Sequence, residues 1–119
     1  MSYAKEKGHK IYAKIQANNS WECSCVPYLP VYDLLYEHVS NLKKLGVKDL
    51  MLSWTVGGYP SKNIKLVDSL LSSDSFRLED FYIENFKFPQ ETHRAVKKIC
   101  DAFKFFHSQS ITFIIRQKL

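Results

Sequence analysis

The stretch KIYAKIQANNSWECSCVPYLPVYDLLYEHVSNLKKLGVKDLMLSWTVGGYP, residues 10–60, decides the fold. Over residues 10–16 Ile11, Ala13 and Ile15 alternate with Tyr12 and Lys14, the period-two pattern of a strand that ends at Gln16. Over residues 31–45 the apolar positions Val31, Leu34, Leu35, Val39, Leu42 and Leu45 instead fall on one helical face. Pro30 suits the first turn of that helix, Asp33 its positive end, Lys43 and Lys44 its negative end, and Gly46 a left-handed stop. Only Val47, Lys48 and Asp49 separate it from Leu50-Met51-Leu52-Ser53-Trp54, a nearly continuous apolar run that predicts a strand covered on both faces of a parallel sheet. Strand, helix and strand so connected form a right-handed βαβ unit, and both strands then end on the same side.

Outward from this unit the signals are helical. Residues 63–71 predict a second helix, with Ser61 or Asn63 as its cap. Ser75 is placed to cap a short helix carrying Phe76, Leu78, Phe81 and Tyr82, and Pro89 to open a longer one over residues 90–107. Residues 111–116 are β-branched and strand-like, and Gly8-His9 reads as a turn after a short helical remnant. The organisation expected is a βαβα unit over residues 1–72 and a helical extension with a strand-like tail over 73–119. Neither an internal repeat nor a low-complexity linker is present in the sequence.

Composition narrows the function classes. With 45% hydrophobic and 24% charged residues among 119, the chain has the makeup of one globular domain. Its formal charge of +5 is spread over scattered lysines with no basic run, which argues against a nucleic-acid partner. No apolar run has the length of a membrane span and the first residues lack a signal-peptide core, so neither a membrane partner nor secretion is expected, and the cytoplasm is the expected compartment. Three cysteines without a CxxC pair, two of them Cys23 and Cys25 at i, i+2, fit incidental thiols better than a zinc site or a disulfide framework, and no metal or cofactor is expected. His38, on the apolar stripe of the first helix, fits a packed boundary histidine.

Chemistry-bearing residues gather where each strand stops. Gln16, Asn18, Asn19, Trp21 and Glu22 follow the first strand, and Trp54, Gly57, Gly58 and Tyr59 the second. Parallel α/β proteins bind ligands at the carboxyl ends of their strands. Amides supply the donors and acceptors that neutral hydroxyls need, and a tryptophan face stacks on the C–H surface of a sugar ring. Asn18 and Asn19 are also ordinary turn formers, the tryptophans could plug a sheet–helix interface, and Gly57-Gly58 could simply permit a tight turn. Gln16, which ends a strand, is harder to assign to a turn. Glu22 is the only carboxylate in its loop, whereas a glycosidase needs two about 5–10 Å apart. A ligand contact is therefore the better role for Glu22 than a complete catalytic apparatus, and whether the chain is an enzyme stays open at this point.

The motifs QANNSWE (16–22), VPYLPV (26–31) and LSWTVGGYPS (52–61) carry a resemblance. Residues 11–66 resemble the final part of a TIM-barrel domain in large bacterial proteins of the glycoside-hydrolase kind, related loosely to hexosaminidase-like enzymes. The resemblance implies an α/β fold, with a partial (β/α) barrel fragment comprising one parallel βαβ unit followed by C-terminal helices. It implies that residues 11–16 and 50–54 are successive late barrel strands and that Trp21, Glu22 and Trp54 face a carbohydrate ligand at the rim. A whole barrel takes about 200–250 residues. About six upstream strands and the usual acid and nucleophile are therefore missing from the pattern, and turnover by the chain alone is not expected. The ending FFHSQSITFIIRQKL (105–119) departs from the helical extension, from which a truncated or disrupted reading frame is expected. The other expectation is a small α/β interaction module, either a homo-oligomer or a partner of a complementary barrel fragment, covering exposed strand edges.

Overall fold

The computed structural model describes residues 3, 6–17, 29–47, 49–52 and 61–105, with the backbone alone for 103–105. Its elements run strand β1 (Tyr12–Ile15), helix α1 (Tyr32–Lys44), strand β2 (Asp49–Leu52), then helices α2 (Lys62–Ser72), α3 (Leu78–Asn85) and α4 (Pro89–Phe105). The chain is mixed α/β, and the two strands among the described residues pair in parallel, Tyr12 opposite Asp49 and Ile15 opposite Leu52. Before β1 a helical turn, closed by the Lys7 N–H on the Tyr3 carbonyl at 3.1 Å, stops at Gly8 with φ +73°.

Local chemistry sets most of the boundaries. Helix α1 ends as its sequence demands: Gly46 takes φ +77°, its N–H donates to the Lys43 carbonyl at 2.9 Å, and the Val47 N–H reaches the Leu42 carbonyl at 3.0 Å. At the other end Val31 is the N-cap, so Pro30 lies ahead of the helix and not within its first turn. Of the two candidate caps for α2, Ser61 serves, its Oγ accepting from the Ile64 N–H at 3.3 Å. Ser75 does not cap α3. The Ser75 N–H is turned to Ser73 Oγ at 3.3 Å, and the helix opens after extended Arg77 with Glu79 and Asp80 in its first turn. Two helix ends are closed from outside: Lys43 Nζ donates to the carbonyls of Leu70 (2.7 Å) and Ser73 (2.8 Å) at the end of α2, and Lys62 Nζ to that of Asn85 (2.8 Å) at the end of α3.

The core gathers Ile15 and Ala17 from β1 and its exit, Leu35 and Val39 from α1, Leu66, Val67 and Leu70 from α2, Phe81 from α3, and Val96 and Cys100 from α4. Tyr32 and Phe81 meet edge to face, ring centroids 5.2 Å apart. The expectation that β2 is covered on both faces is corrected. Met51 is 61% exposed and Tyr12 on the neighbouring strand 66%, while Leu50 and Leu52 pack toward the core. Among the described residues the helices cover one face of the sheet only. An apolar Met51 on the open face makes an alternating strand look like a continuous apolar run.

Candidate ligand site at the carboxyl end of the sheet

Helix α1 carries the chain from the carboxyl end of β1 back to the amino end of β2, since Asp49 starts β2 directly opposite Tyr12 at the start of β1. The start of α1 therefore lies at the edge where Ile15 and Leu52 stand side by side. Asn63, in the first turn of α2, reaches that same region, its Nδ2 donating to the carbonyl of Leu29 at 2.9 Å. Both strands end at this one edge.

Of the residues expected to bind ligand, Gln16 lies within the described part of the chain. It is half-buried, and its Nε2 is enclosed with no hydrogen-bond acceptor among the described residues. Asn18, Asn19, Trp21, Glu22, Trp54, Gly57, Gly58 and Tyr59 lie outside the described residues, as do Cys23, Cys25 and the strand-like segment 111–116. Asn63 is a second polar side chain at this end, only 1% exposed. The bond from its Nδ2 to a carbonyl fixes which way the amide faces, because a carbonyl can only accept. That leaves Asn63 Oδ1 enclosed and without a donor among the described residues. An enclosed polar atom left unpaired costs about 1–3 kcal/mol, so an orphan donor and an orphan acceptor at one end of a sheet need an account.

At the start of α1, Asp33 gathers a second polar cluster. Its Oδ2 accepts from the Tyr82 hydroxyl at 2.8 Å and its Oδ1 lies 3.0 Å from His93 Nε2. An ionised carboxylate only accepts, so in this contact His93 Nε2 is the donor. The two rings stack, centroids 4.3 Å apart and planes 19° from parallel. Burial, and then the bond to Asp33, push the Tyr82 hydroxyl well above its ordinary range, so it remains a donor. Among the described residues no three His, Cys, Asp or Glu side chains converge as a metal site. The cluster's work is to tie α1 to α3 and α4.

Sequence reasoning singled out Gln16 and missed the roles of the others. Asn63 reads as a cap and Asp33 as a dipole partner, and Tyr82 reads as core. His93 left a usable signal, since it stands at i, i+3, i+7 with the buried Val96 and Cys100. His38 is the packed boundary histidine its position suggests, half-buried, with burial lowering its pKa. No helix among the described residues is long and apolar enough to cross a membrane. No protein-family model, curated protein or solved structure matches the chain.

Proposed function

We propose that this chain contributes part of the sugar-binding rim of a carbohydrate-active, glycoside-hydrolase-like (β/α) barrel, and that it does not turn over substrate by itself. The observation that supports the reading is the parallel register with Ile15 opposite Leu52, because the two strands then end side by side at one edge of one sheet. Trp21, Trp54 and Tyr59 offer stacking faces, Gln16, Asn18 and Asn19 hydrogen-bonding amides, Gly57 and Gly58 backbone N–H groups, and Glu22 a single carboxylate acceptor. One carboxylate cannot supply both the acid and the base or nucleophile of glycoside hydrolysis. Cys100, buried and in no disulfide, accords with a reducing cytoplasm. Calorimetric titration with N-acetylhexosamines and oligosaccharides tests the rim. Saturable binding that Trp21→Ala and Glu22→Ala each weaken is expected; no binding, or binding indifferent to both changes, sinks the proposal.

A second reading, an interaction module that self-associates or completes a barrel with a complementary fragment, is favoured by the open sheet face with Tyr12 and Met51 more than 60% exposed. It predicts a tight oligomer in sedimentation, weakened by Met51→Lys and by Trp54→Ala. A monomer at all concentrations removes self-association.

A further inference from the structure

We draw no further inference here: the strongest candidate, the surface patch at the turn from α3 to α4, where Lys62 and Lys65 both reach Asn85 and where Ile83 and Phe88 stand exposed, is an unpartnered face, and nothing in the structure shows what covers it.

Discussion

Asp33 is where three helices converge on one carboxylate. Its place near the start of α1 follows from the sequence, since an acidic residue in a first turn meets the positive end of the helix. Its partners do not, because Tyr82 and His93 lie 49 and 60 residues further along and nothing local announces them. Tyr82→Phe keeps the ring, its stacking and its burial but removes the donor, and should cost about 1.5–3 kcal/mol in urea unfolding, the range for a hydrogen bond to a charged group. The same residue sets an alkaline limit. Folding raises the Tyr82 pKa above the 10.0 of an exposed tyrosine, so the unfolded chain loses this proton first. The stabilisation is complete below pH 10 and declines as pH rises beyond it, and Tyr82→Phe should flatten that part of the stability–pH profile.

At the scale of elements, α1 was the most legible part of the chain because periodicity, terminal charges and Gly46 all agree. Gly46→Ala forces a side chain into φ +77° and should lower stability by about 1 kcal/mol, read as a shift of the urea midpoint at unchanged slope. Legibility failed where a local rule had a competitor. Ser75 looks like a cap, yet its backbone joins a serine turn with Ser73, and α3 starts without any side-chain cap. Strand β2 looks enclosed because Met51 is apolar, although exposure is decided by what lies across from it. The strand ends were readable as a place where a ligand site belongs, whereas the orphaned Asn63 was not, since its meaning depends on the carbonyl of Leu29, 34 residues earlier.

At the scale of the molecule, the sheet has two strands among the described residues, too few to stabilise a fold alone, and the helices carry most of the core. Phe81, fully buried, touches Tyr32, Tyr82 and Phe86 with ring centroids 5.2, 5.8 and 6.1 Å away. Phe81→Ala should cost about 3–5 kcal/mol and, for a domain of this size, abolish cooperative thermal unfolding near physiological temperature. Lys43 acts across the same assembly. Lys43→Met should leave α1 intact but speed hydrogen exchange in the last turn of α2, where two carbonyls lose their donor. The point at which α2 stops is thus specified by a side chain on α1, and α3 is finished in the same way by Lys62 at the opening of α2. Two helices, α1 and α2, each carry the terminator of the next. A piece cut from this chain before residue 61 would keep every residue of α2 and yet lose the instruction that ends it.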